Sequence, residues 1–238
     1  MKIPVICIIF LCLIGFISCN GSDSSNDDTG STLNTDTDTT APTLEEVTVI
    51  TTPSNDSTPN YTFSSSEAGT INYGGSCTSG TTSVVSGNNI ITLNSLSDGN
   101  YTDCTIKVTD SSSNSSVLLN ISSFTIDTTA PTFTSVSPTD NESAVSITDN
   151  VSVTFSEAMD NSTITTNTSD STCSGTLQLS LDNFSSCIMM SNHPISSNSN
   201  KTYTLDPKED FLYSKNLKIK ITKSVRDLAG NNLMNEYN

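Results

Sequence analysis

Six residues of this chain occur twice. Asp38-Thr39-Thr40-Ala41-Pro42-Thr43 returns as Asp127-Thr128-Thr129-Ala130-Pro131-Thr132, 89 positions on (127 minus 38). Only six Ala and eight Pro are present, so Thr-rich sequence alone does not account for the match. A period of this length is that of one small domain, and the chain therefore reads as a tandem repeat. Pro at the fifth position blocks helix and marks the start of a first strand. Whatever fold the sequence takes, it is built twice.

Within each repeat the apolar residues recur at strand spacing. In the first, Val47 and Val49 alternate with Thr48 and Ile50, and Tyr61 and Phe63 with Thr62 and Ser64. Ile71 and Tyr73 follow, then Ile90, Ile91 and Leu93. A longer segment runs through Tyr101, Cys104, Ile106 and Val108, and Val117, Leu119 and Ile121 lead to Phe124 and Ile126. Leu96 to Asn100 supplies a tight turn, with Gly99 free to take positive φ. Helix formers are scarce, with a single Gln and no Trp, while Ser and Thr fill 79 of 238 positions. The low hydrophobicity would suit disorder, but β-branched residues at period two argue for folded strands. Six or seven short strands in about 85 residues of the first repeat, taken with the repeat itself, predict an all-β chain of two tandem immunoglobulin-like β-sandwiches.

Specific residues carry a family resemblance. Asp98-Gly99-Asn100-Tyr101, followed by Val108-Thr109-Asp110 and Asn114, resembles the penultimate strand of bacterial Ig-like domains. The resemblance gives Tyr101 a corner role, with its hydroxyl on backbone and its ring packed. Val136-Ser137-Pro138-Thr139-Asp140, Val151 to Asp160, and Asp227-Leu228-Ala229-Gly230-Asn231-Asn232-Leu233 resemble the surface-layer-protein type of that domain. Such domains usually continue with one more strand ending in Phe-Thr-Thr. The expectation is a second sandwich without its last strand, or an N-terminal piece of a longer multi-domain surface protein.

The N-terminus reads as an export signal. Lys2 precedes an apolar run from Ile3 to Ile17, shorter than the roughly 20 residues a transmembrane helix needs. The run ends Phe16-Ile17-Ser18-Cys19, which resembles the lipobox of bacterial lipoproteins and implies lipidation of Cys19. Residues 1–18 are then the signal peptide. Residues 19–41 are a flexible acidic tether of Ser, Thr and Asp, followed by sandwiches at 42–127 and 131–238. Removing Cys7 and Cys12 with the signal and Cys19 by lipidation leaves Cys77, Cys104, Cys173 and Cys187. Four Cys allow three pairings, which the sequence does not decide between. The repeat places two in each half and favours Cys77–Cys104 and Cys173–Cys187, each contributing about 3 kcal/mol.

A formal net charge of −16 argues against a nucleic-acid partner, which requires a basic face. The acids are candidate Ca²⁺ ligands: Asp140, Glu142 and Asp149 cluster, as do Glu157 and Asp160, and Asp127 stands at the repeat junction. An acidic solvated surface with Asp in turns accounts for the same residues. Seven of the nine bases lie after Asn200, and Lys218 and Lys220 alternate with Leu217, Ile219 and Ile221. That spacing lines the outer face of one strand with Lys, which protects an edge or binds an acidic partner. His193, the sole His, sits in a polar loop, and no catalytic constellation is legible. The chain is not expected to be an enzyme. The expectation is a lipid-anchored protein of the outer membrane or cell surface with a structural or adhesive role. Its partners would be other envelope proteins or host ligands. The alternative is a Ca²⁺-dependent or carbohydrate-binding module.

Overall fold

The computed structural model describes residues 37–139, 142, 145–212 and 216–238. The signal peptide, Cys19, the tether up to residue 36 and Asp140 lie outside the described residues.

The first repeat contributes nine strands: β1 (Leu44–Thr48), β2 (Asn60–Ser65), β3 (Gly69–Gly74), β4 (Ser83–Val84), β5 (Gly87–Thr92), β6 (Gly99–Tyr101), β7 (Thr105–Thr109), β8 (Leu119–Asn120) and β9 (Phe124–Ile126). One sheet runs β1-β2-β5 and the facing one β4-β3-β7-β8, with β6 and β9 as a separate pair. The second repeat adds β10 (Phe133–Ser137), β11 (Val151–Phe155), β12 (Leu177–Ser180), β13 (Ile195–Ser197), β14 (Thr202–Leu205) and β15 (Lys218–Ile221). Here the sheets are β10-β11-β14-β13 and the two-stranded β12-β15. Every ladder is antiparallel.

Alternation explains the packing. On β2, Tyr61 and Phe63 are buried, and on β11 Val151, Val153 and Phe155. Inward-pointing residues of facing sheets build two separate apolar clusters. One gathers Tyr61, Phe63, Ile91, Ile106 and Phe124, and the other Val153, Leu177, Leu179, Tyr203 and Leu205. Each half thus closes over its own interior, as a sandwich does. The disulfides respect the same division. Cys77–Cys104 ties the end of the β3–β7 pair, and Cys173–Cys187 closes a loop flanking β12, with Cα–Cα distances of 5.2 and 4.9 Å. Tyr101 donates its hydroxyl to the Ser97 carbonyl at 2.8 Å, and its ring stacks on Phe124.

Three expectations fail in detail. A register shift between Glu46 and Thr48 turns Val47 and Val49 outward and puts Ile50 in the core. Val117 is also exposed, because Ser116 takes the inward place and accepts from the Val108 N–H. The segment from Tyr101 to Val108 is two strands, since β6 pairs with β9 whereas β7 pairs with β3.

The last residues of the expected tether belong to the folded body. Pro42 is buried, and the Asp38 carbonyl accepts from Asn114 at 2.9 Å.

Candidate functional site

Each copy of the repeated hexapeptide is stitched to its own sandwich by the same contacts. In the first, the Thr43 N–H donates to the Ser66 hydroxyl and the Ser66 N–H to the Thr43 carbonyl. In the second, Thr132 and Ser156 exchange the same two bonds. Ser66-Glu67-Ala68 and Ser156-Glu157-Ala158 are therefore equivalent positions.

The end of each sheet supplies the other half. Asn114 donates its N–H to Asp110 Oδ1 and its amide to Asp110 Oδ2, and the same amide reaches the Asp38 carbonyl. Asn231 does the same with Asp227 and with the Asp127 carbonyl, all at 2.8–2.9 Å. Asp four residues before Asn makes this loop close on its own side chain. Gly230, at φ 95°, completes the second turn.

These stitches bring three carboxylates together twice. Asp38, Glu67 and Asp110 form one group, and Asp127, Glu157 and Asp227 the other, with carboxylate oxygens inside 4.8 Å of one another. The first is more open, Asp38 being exposed, while Asp227 in the second is 2% exposed. Burial first, then the charges of Asp127 and Asp227, push Glu157 up to about 7. Glu67 is raised in the same way, by burial and then by Asp38 and Asp110. Burial also acts on Asp110, but the hydrogen bonds from Asn114 and Ser112 outweigh it and hold its carboxyl below the ordinary value. Such a trio has too much negative charge for its space. A shared proton relieves it, and so does a hard cation bound through oxygen.

Among the sequence-derived candidates that lie in the described residues, the structure gathers Asp127 and Glu157. Glu142 accepts from the Thr139 N–H, Asp149 from the Ser146 N–H, and Asp160 caps the 3₁₀ turn Asn161–Thr163 through the Ser162 N–H. These three are occupied by their own local backbone and do not join the group at the junction. Sequence reasoning missed Asp227 and the whole first trio. The recurring Ser-Glu-Ala and Asp-x-x-x-Asn patterns carried the signal.

The second hexapeptide is held from both sides. Asp98, in the turn before β6, accepts from the Thr128 N–H and from the hydroxyls of Thr128 and Thr129 at 2.6–2.8 Å. Those bonds hold its carboxyl below the ordinary range. The connection between sandwiches is thus anchored to the first repeat through Asp98 and to the second through Asn231. His193 lies exposed in a bend.

No curated protein matches the chain. Among solved structures, the crystal structure of the N-terminal part of the bacterial S-layer protein SbsC is similar at 18% identity and a TM-score of 0.33. The similarity covers 44% of this chain and 21% of that one. Residues 127–238 match the family model of the bacterial Ig-like domain, a span that takes in the whole second repeat and all three segments in which its sequence carries the resemblance.

Proposed function

We propose that this chain is a bacterial cell-envelope protein with a structural or adhesive role, held at the membrane by a lipid on Cys19. Residues 20–37 serve as the tether and the two sandwiches as a body presented away from the membrane. The observation that carries the reading is the doubly anchored junction. Asp98 on one side and Asn231 on the other fix the connecting hexapeptide, which suits a spacer better than a hinged enzyme. The acidic surface and the export-type N-terminus fit the same role. Intact mass of membrane-extracted protein tests it. A diacyl or triacyl group on Cys19 is expected, and an unmodified soluble product contradicts the anchor.

A second reading, a Ca²⁺-stiffened junction, is favoured by the recurrence of the same Asp–Glu–Asp set in both repeats. Oxygen-only donors suit Ca²⁺ rather than a transition metal. Ca²⁺ added to chelator-treated protein is expected to raise Tm, and to do so less in Glu157→Gln. An equal response in both proteins contradicts the site. A carbohydrate-binding role has less support, because the strongly exposed large apolar side chains among the described residues are aliphatic or Met, whereas sugar sites stack on aromatic rings.

A further inference from the structure

One edge of the first sandwich lacks the features that keep sheet edges apart. Among the described strands of five or more residues, β1, β5 and β10 each end a sheet. β1 and β10 pair with a register shift, and β1 also carries Glu45 and Glu46. Bulges and charges of this kind blunt an edge. β5 has neither. It pairs with β2 in unbroken register, from Gly87 with Ser65 to Thr92 with Asn60. The edge belongs to the middle of the first repeat, and the chain on both sides of it is described and bonded elsewhere. β4 pairs with β3, the Asn94 N–H donates to the Thr78 carbonyl, and the Leu96 N–H donates to the Ser57 carbonyl.

The Leu93 N–H donates to the Pro59 carbonyl, which fixes the phase of the ladder. Asn89 and Ile91 then bond β2, and strand alternation turns the N–H and C=O of Asn88 and Ile90 away from it. Among the described residues no group meets them. The Thr92 carbonyl, next on that side, accepts from the Ser79 hydroxyl at 2.6 Å, so the free edge runs from Asn88 to Ile90. Ile90 is 69% exposed, opposite Thr62 on the outer face of the sheet. Val85 is 62% exposed and is tied to the Asn89 side chain by two hydrogen bonds of 2.9 Å. Residues 68–97 contain no Asp, Glu, Lys, Arg or His, in a chain of net charge −16. Two copies repel wherever acidic surface meets acidic surface, and this edge escapes that repulsion.

We propose that this edge pairs with the same edge of a second copy of the chain. Two residues spaced two apart, each offering an N–H and a C=O, complement themselves about a two-fold axis beside Asn89. Asn88 of one copy exchanges main-chain bonds with Ile90 of the other, and the reverse pair does the same. The two β1-β2-β5 sheets become one continuous sheet. Ile90 meets its counterpart diagonally across the axis, which covers both exposed side chains. A contact this short is weak and reversible.

The test uses residues 20–238, which hold both cores and both disulfides, so that no lipid drives association. Sedimentation equilibrium from about 10 μM to about 500 μM is expected to show the mass rising toward that of a dimer and not beyond it. Ile90→Lys, which sets a charge on each side of the axis, should weaken dimerisation by about tenfold or more. Val117→Lys adds the same charge at an apolar side chain 82% exposed elsewhere on the first repeat and should leave dimerisation within about twofold. Hydrogen exchange at the Ile90 amide should slow as protein concentration rises. The proposal fails if the chain stays monomeric throughout, grows past a dimer, or dimerises equally well as Ile90→Lys. It also fails if the Ile90 amide is protected to the same extent at every concentration, which would place another segment of the same chain along β5.

Discussion

The two repeats agree where they connect and differ where they end. The hexapeptide, the Ser-Glu-Ala stitch and the Asp–Asn loop superpose residue for residue in their bonds. The sheets opposite do not. In the first repeat β3 and β7 are flanked by β4 and β8, whereas in the second β12 and β15 form a two-stranded sheet among the described residues, with a single bridge from Ile221 to Tyr237. The second also carries the disulfide loop Cys173–Cys187 within the stretch between Glu157 and Asp227, which is longer than that between Glu67 and Asp110. A repeated connection constrains geometry at one point only. Edges away from it are free to diverge.

Removing the disulfides tests this division most strongly. Cys77→Ala with Cys104→Ala frees a 27-residue separation and opens two buried positions. A loss of about 3–4 kcal/mol is expected, confined to the first repeat. Cys173→Ala with Cys187→Ala frees a separation of 14 and should cost about 3 kcal/mol, confined to the second. Chemical denaturation followed by mass-resolved hydrogen exchange reads both.

The equivalent asparagines are expected to behave unequally. Asn231→Ala leaves Asp227, 2% exposed, without its side-chain amide donor and the Asp127 carbonyl without the same amide, and should cost about 2–3 kcal/mol. Asn114→Ala removes the same amide from the half-buried Asp110, to which water has access, and should cost about 1 kcal/mol. Equal losses in urea melts would mean that the trios do not differ in burial.

The smallest effect is a pH dependence. Glu157, at about 7 when folded against an ordinary 4.5, holds more protons in the folded state between those values. Its contribution to stability is complete below 4.5 and is lost as pH rises through 7. With allowance for solvent screening, Glu157→Gln should gain about 1–2 kcal/mol at pH 8 in chelator and nothing at pH 4. Melting curves across this range check the sign. A gain that grows as pH falls would contradict it.

Much of this architecture was legible in the chain. The hexapeptide gave the repeat, alternation at Tyr61–Phe63 and Val151–Phe155 gave the sandwiches, and the placing of two Cys in each half favoured the local bridges. The phase of Val47 and Val49 was not legible, because one bulge residue reverses every side chain after it. Of the second trio, Asp127 and Glu157 were legible but Asp227 was not, because it lies far from both in sequence and joins them only on folding. Glu142, Asp149 and Asp160 looked alike in sequence. Only structure separates carboxylates that cap local backbone from those that crowd one another.

Central to the account is that two interiors form independently on either side of one anchored connection. Native-state hydrogen exchange on Cys77→Ala with Cys104→Ala tests this most directly. Amides of Ile106 and Val108 should lose protection while those of Val153 and Leu205 keep theirs. Loss of protection at all four together would show a single shared core and contradict the account.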